Sequence, residues 1–309
     1  MIITVTVNPA IDKTITVDRL VFDDRAYVNS SSESAGGRGI NASCVIESFG
    51  GKTIGIVPAG GNSGKHFEEF LKSCGFELVV VPIRKQVRTN LIITDKHGLT
   101  VKLNEPGAAL EKAELARLEK VVSNKLAGAS WLMLCGSLPP GVPTSFYARL
   151  IKLAHQHKVK TLLDTDGPAL ETGIEAGPTV VKPNQPEAER LLSTALLTRT
   201  QFLQAASRIR AMGAGSVMLS LGSRGAVGAY DHQMVEVVPP RVDVVSPIGA
   251  GDAMAAAFTW AMERKNDFRD AMRWAVAAGT ASATLPGLQF ATFAQTEEVY
   301  KRVEVRQAE

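Results

Sequence analysis

The sequence has little that would staple it, tether it or charge it. Its 309 residues include only three cysteines, Cys44, Cys74 and Cys135, with no C-x-x-C pair. A disulfide framework is therefore not expected, and scattered thiols fit a reducing compartment as inert core residues. The five histidines form no H-E-x-x-H or Cys/His pattern, so no structural zinc site is expected. The N-terminus lacks a basic leader region. The longest apolar stretch, Ala253 to Met262, covers about half a membrane span. The expectation is a cytoplasmic protein without a membrane partner. Net charge is +3, from 34 basic and 31 acidic residues, too balanced for a dedicated nucleic-acid binder. A basic pocket for a small anion remains compatible with it.

What is present is an α/β rhythm. Trp131–Cys135, Lys160–Asp164, Thr179–Val181 and Ser216–Leu221 read as strands, with helical spacing over 144–157 and 200–212. That alternation predicts a mostly parallel sheet covered on both faces. Ligands of such sheets sit at the carboxyl ends of the strands. Those ends carry Gly136-Ser137, Asp164-Thr165-Asp166, Lys182-Pro183-Asn184 and Ser220-Leu221-Gly222. Two stretches, about 12–34 and 83–104, break the rhythm and predict a small sheet beside the main body. A sheet next to a strand-end site makes a natural lid. The whole chain, 1–309, reads as one domain. The segment from Glu111 to Lys120 reads as a solvated amphipathic helix on Leu115 and Leu118.

Three glycine clusters compete for a ligand. Gly60-Gly61-Asn62-Ser63-Gly64-Lys65 fails as a phosphate loop, because Ala59 and His66 stand where glycine and Ser/Thr are needed. Gly37-Arg38-Gly39-Ile40-Asn41-Ala42 matches a loose dinucleotide fingerprint, but no apolar strand precedes it and no acidic residue follows at about twenty positions. It is either a turn opening a helix or a turn whose amides and Asn41 hold a polar ligand. Gly249-Ala250-Gly251-Asp252 opens an alanine-rich helix. Free amides and the positive end of the helix dipole make an anion site there. Asp252 beside it is either a general base for an attacking hydroxyl or a helix cap. Asn184 and Glu187 are likewise either magnesium-organising oxygens or a capping pair.

Together these residues resemble the ribokinase-like (PfkB) carbohydrate kinases, in their phosphosugar-kinase branch. The similarity runs through T-V-N-P-A-I-D (6–12), A-G-G-R-G-I-N (35–41), G-S-L-P-P-G (136–141), K-P-N-Q (182–185), S-L-G-S-R-G (220–225) and G-A-G-D (249–252). The resemblance implies a Rossmann-like three-layer core with a β-sheet lid that commonly forms a dimer contact. It implies ATP as co-substrate with Mg²⁺, and K⁺ as a candidate accessory ion. Asp252 becomes the base, and Gly249, Ala250 and Gly251 the anion hole. Asn184 and Glu187 serve magnesium, partly through water. Lys182, Asn184, Ser220, Gly222 and Gly225 border ATP. Asp12, Gly37, Asn41 and Ser137 hold the acceptor, and Arg88 holds its phosphate. The branch includes 1-phosphofructokinases, tagatose-6-phosphate kinases and the minor 6-phosphofructokinase, and the last looks closest, which makes fructose 6-phosphate the favoured acceptor. Departures are Arg38 where Lys is common, Ser246 where an acidic residue is frequent, and Tyr27 near an expected Arg. Arg25, Arg38 or a partner subunit's basic residue would then compensate.

Overall fold

A computed structural model describes residues 1–21, 24–72 and 74–308. The chain opens with β1 (Ile2–Thr6), β2 (Ala10–Val17), β3 (Val28–Gly36), α1 (Arg38–Ser48), β4 (Thr53–Ala59) and α2 (Gly61–Leu71). Then come β5 (Glu77–Pro82), β6 (Arg88–Asp95), β7 (Thr100–Asn104) and α3 (Lys112–Leu126). The middle alternates: β8 (Trp131–Cys135), α4 (Phe146–Gln156), β9 (Lys160–Asp164), α5 (Pro168–Glu175), β10 (Val180–Val181), α6 (Gln185–Leu192), α7 (Arg199–Ala211) and β11 (Ser216–Ser220). The end comprises β12 (Ala226–Tyr230), β13 (Gln233–Val238), α8 (Ala250–Lys265), α9 (Phe268–Ala283), α10 (Phe293–Tyr300) and β14 (Glu304–Ala308).

The main sheet has the order β14-β13-β12-β11-β10-β9-β8-β1-β4-β5. From β5 to β11 every pairing is parallel, and β12 to β14 extend one edge antiparallel. Alternate residues feed opposite faces, as a pleated strand requires. Ile3, Val5, Leu132 and Leu134 pack beneath α3 to α7, while Ile2, Trp131 and Met133 pack beneath α1, α8 and α9. This is the expected three-layer core. Helix α8 is buried continuously from Ala253 to Ala261, because it lies between the sheet and α9. Its run of alanines permits that close approach. None of the described helices is long and apolar enough to cross a membrane.

The two interruptions form a second sheet, in the order β3-β2-β6-β7. It begins at Ala10 and its second strand ends at Gly36, slightly wider than the sequence reading. The rejected phosphate loop also has its reason. A Cβ on Gly60 would fall 1.9 Å from the Ile83 carbonyl oxygen, so the glycine serves backbone packing at the start of α2. One expectation is corrected: the cysteines are not all isolated core residues. Cys135 is buried, but Cys44 and Cys74 are half-buried and adjacent.

Phe258 is fully buried on α8 and meets Phe268 edge-on at 5.4 Å. Phe258→Ala is expected to cost about 3–5 kcal/mol, read as a lower urea midpoint with an unchanged slope.

Candidate active site

The site lies where the carboxyl ends of β1, β8, β9, β10 and β11 face the start of α8. Gly249 precedes the helix with φ of +79°, and a Cβ there would fall 2.8 Å from both Leu288 and Phe290. Glycine is required on both counts. The Ala250 amide donates to the Pro247 carbonyl at 3.3 Å and the Asp252 amide to the Gly249 carbonyl at 3.0 Å. Among the described residues the Gly249 and Gly251 amides have no partner. They are the donors left for an anion, while the Ala250 amide is already partly engaged.

Asp252 sits in the first turn of α8. Its Oδ2 accepts from Asn41 Nδ2 at 2.7 Å, joining α8 to α1. Burial, with the nearby Asp164 charge second, raises the Asp252 carboxyl to about 6. Asn41, Arg38 and Lys182 hold it back from rising further. The result is a carboxylate that is ionised at neutral pH yet basic enough to accept a proton.

Beneath it runs a charge cluster that sequence spacing did not reveal. Asp164 closes β9 with one oxygen 3.0 Å from Arg38 Nη1 and the other 3.1 Å from Lys182 Nζ. Arg38 Nη2 reaches Asp166 at 2.8 Å and Glu187 at 3.5 Å. Lys182, only 5% exposed, lies directly under the start of α8, with Nζ 3.7 Å from where a Gly251 Cβ would stand. Neighbouring carboxylates raise its affinity for the proton against the effect of burial. Glu187 is pushed up by burial and by Asp164. The strand-end turn Asp164-Thr165-Asp166 marked the place, but Arg38 as its partner lies too distant in sequence for any local signal.

Asn184 and Glu187 do form the capping pair. Asn184 Oδ1 accepts from the Glu187 amide and Glu187 Oε2 from the Asn184 amide, each at 2.9 Å. Glu187 Oε1 still faces Arg38 and the cluster. Ser220 bridges in parallel register to Asn184, which brings Lys182, Asn184 and Ser220 together. Gly222 turns beyond Ser220 with φ of +61°. Gly225 has a packing reason of its own, since a Cβ would fall 2.0 Å from the Val237 carbonyl oxygen.

The second sheet supplies the opposite wall. Asp12 accepts from Asn90 Nδ2 at 2.8 Å, across the β2–β6 register. Asn90 is a positioning residue that the sequence reading missed. Gly36 makes room for this pair, because its Cβ would fall 2.1 Å from Asp12 Oδ2. Burial raises the Asp12 carboxyl, opposed by Asn90, Arg88 and Lys102. Arg88 stands two residues before Asn90, on the same face of β6. Its tips donate to the Glu105 and Asn8 carbonyls at 2.7 and 3.2 Å, and its Nε is buried without a partner among the described residues. It lies within electrostatic reach of Asp12, Asp166 and Arg38. Asn8 Nδ2 reaches Ser137 Oγ at 3.2 Å. Gly37, with φ of +135°, packs against Thr6, whose Oγ1 caps the Ile40 amide at 3.1 Å. Arg38 is committed to carboxylates, and Arg25 and Tyr27 are exposed.

The model of the pfkB family of carbohydrate kinases matches residues 5–294. The chain belongs to that family. It is 32% identical over 302 residues to the ATP-dependent 6-phosphofructokinase isozyme 2 of Escherichia coli K12, covering 97% of each chain. It is 28% identical over 308 residues to a tagatose-6-phosphate kinase of Staphylococcus epidermidis, covering 99% of each. The crystal structure of Escherichia coli phosphofructokinase-2 with substrates and products superposes with a TM-score of 0.91 at 31% identity, over 97% of this chain and 98% of that one. The protein is thus a carbohydrate kinase, a phosphotransferase with an alcohol acceptor.

The raised carboxyl can be titrated directly. Carbon-13 spectra of aspartate-labelled protein, wild type against Asp252→Asn, are expected to differ by one resonance with a midpoint of about 6. A midpoint near the ordinary value of about 4 would contradict the burial argument.

Proposed function

We propose that this kinase transfers the γ-phosphoryl group of ATP to a primary hydroxyl of fructose 6-phosphate, in preference to its isomers. The observation that carries the mechanism is the Asp252 carboxylate, raised to about 6 and held by Asn41 beside the free Gly249 and Gly251 amides. Asp252 takes the hydroxyl proton as the oxygen attacks the γ-phosphorus in line. The two amides and the Lys182 charge below them stabilise the charge gathering on the transferred group. Asp12, Asn41, Gly37 and Ser137 orient the sugar. Arg88 grips the sugar's phosphate through Nε and by releasing the Glu105 and Asn8 carbonyls. Lys182, Asn184, Ser220, Gly222 and Gly225 line the nucleotide side. The preference for fructose 6-phosphate rests on the likeness to the Escherichia coli isozyme.

The charge cluster fits a divalent cation. Two cations, Arg38 and Lys182, face four carboxylates, Asp164, Asp166, Glu187 and Asp252. Among the described residues no three His, Cys, Asp or Glu side chains converge tightly enough to bind a metal unaided. Magnesium brought by the nucleotide, with Asn184 and Glu187 reaching it through water, would neutralise the phosphates and the surplus negative charge together. K⁺ enters the same proposal because a solved Escherichia coli phosphofructokinase-2 is described with potassium. The small sheet acts as a lid, and its exposed Val28 and Leu103 offer a homodimer contact. The cytoplasm is the proposed compartment.

A second reading is a free-sugar kinase. It is favoured by exposed Tyr27 and by the backbone ties of Arg88. An ADP-release assay over fructose 6-phosphate, fructose 1-phosphate, tagatose 6-phosphate and free sugars separates the readings. The highest kcat/KM is expected on fructose 6-phosphate. Arg88→Ala is expected to raise its KM roughly 10- to 150-fold, the equivalent of about 1.5–3 kcal/mol, with KM for ATP nearly unchanged. A higher kcat/KM on a free sugar would establish the second reading.

A further inference from the structure

Cys44 and Cys74 are thirty positions apart, yet their sulfurs lie 3.8 Å from each other. Cys44 is on α1, three residues beyond Asn41. Cys74 follows α2, with its amide bonded to the Leu71 carbonyl at 3.1 Å. The turn after it packs on α1, where a Cβ on Gly75 would stand 3.3 Å from Glu47 Cγ. Both thiols lie against a hydrophobic cluster distinct from the two main cores. That cluster joins Ile11 and Ala35 of the small sheet to Ile40 of α1, Val57 of β4 and Phe67 of α2. Helix α2 in turn lies against β2 and β3. The pair therefore sits at the packing joint between the two sheets.

We propose that Cys44 and Cys74 form a reversible disulfide that locks α1 to the end of α2 and slows acceptor turnover. The kinetic half of this rests on the lid reading of the small sheet; the bond itself does not. A disulfide needs sulfurs at about 2.05 Å, so the pair must close by less than 2 Å, which the short turn at Cys74-Gly75 can supply. The Cys44 thiol donates to the Cys74 sulfur, which lowers the Cys74 thiol and raises that of Cys44. Cys74 is thus the nucleophile. Its thiolate attacks a low-molecular-weight disulfide RS–SR, forming a mixed disulfide and expelling RS⁻. Cys44 then loses its proton and attacks the Cys74 sulfur, expelling the second thiol. Two protein thiols are oxidised, and RS–SR is reduced to two RSH. A bond across the joint fixes α1, whose first turn carries Arg38 and Asn41, against the helix that backs the small sheet. Cys135, buried in a different core, is an internal control.

The test treats the full chain with oxidised glutathione, maps its thiols by peptide mass spectrometry and measures acceptor turnover. The expected result is a Cys44–Cys74 link with the loss of two hydrogens and Cys135 still reduced. The kcat/KM for the sugar phosphate should fall several-fold and recover with dithiothreitol. Cys74→Ser should keep basal activity and lose the response. A glutathione adduct that never resolves into the link would overturn the proposal, as would a link that leaves kinetics unchanged. If no sugar phosphate is turned over at all, the substrate reading fails while the mapped link still decides whether the bond exists.

Discussion

The pairing of Asp164 with both Arg38 and Lys182 is the constraint on which the rest of the site depends. One carboxylate, 2% exposed, ties together the end of β9, the residue after β10 and the first turn of α1. Removing one partner from such a buried pair typically costs about 3–5 kcal/mol. An exposed pair such as Lys72–Glu69 contributes about 0–1 kcal/mol. The buried cluster therefore sets the geometry, and the surface pairs do not. It also sets the chemistry. Burial first, and the Asp164 charge second, raise Asp252, and the bare helix start above Lys182 is left as the place where an arriving anion is favoured.

The glycines show how the sequence reserves that space. Gly36 yields to the Asp12 carboxylate, and Gly39 to Thr6, whose oxygen would otherwise stand 2.5 Å from a Cβ. Gly249 yields to Leu288 and Phe290, and Gly251 leaves Lys182 close to the first turn of α8. The small sheet thereby carries the Asp12–Asn90 pair and brings Arg88 within electrostatic reach of Asp166 and Arg38, while Asn41 and Asp252 join α1 to α8.

Much of this was legible in the sequence. Short apolar, strand-like runs marked β8, β9 and β11, and stretches rich in β-branched and polar residues marked the small sheet. Asp252 could be placed at a helix start because glycines and alanines flank it locally. The Asn184–Glu187 alternative resolved into a capping geometry, with one Glu187 oxygen still directed to the cluster, because a three-residue spacing permits both. What escaped were contacts between distant residues. Arg38 meets Asp164 across 126 positions, and Cys44 meets Cys74 across 30. Neither has a local period to betray it. The antiparallel edge of β12 to β14 escaped for a related reason: β14 joins it after two long helices have intervened.

Arg38 sustains the ionised form of Asp252 from below while Asn41 holds it from the side. The most direct measurement is the carbon-13 titration midpoint of Asp252 in Arg38→Met and Arg38→Lys protein. The midpoint is expected to lie above that of the wild type, itself expected at about 6, in Arg38→Met, where a compensating charge is lost, and to return toward it in Arg38→Lys. A midpoint unchanged or lowered in Arg38→Met would contradict that role of Arg38.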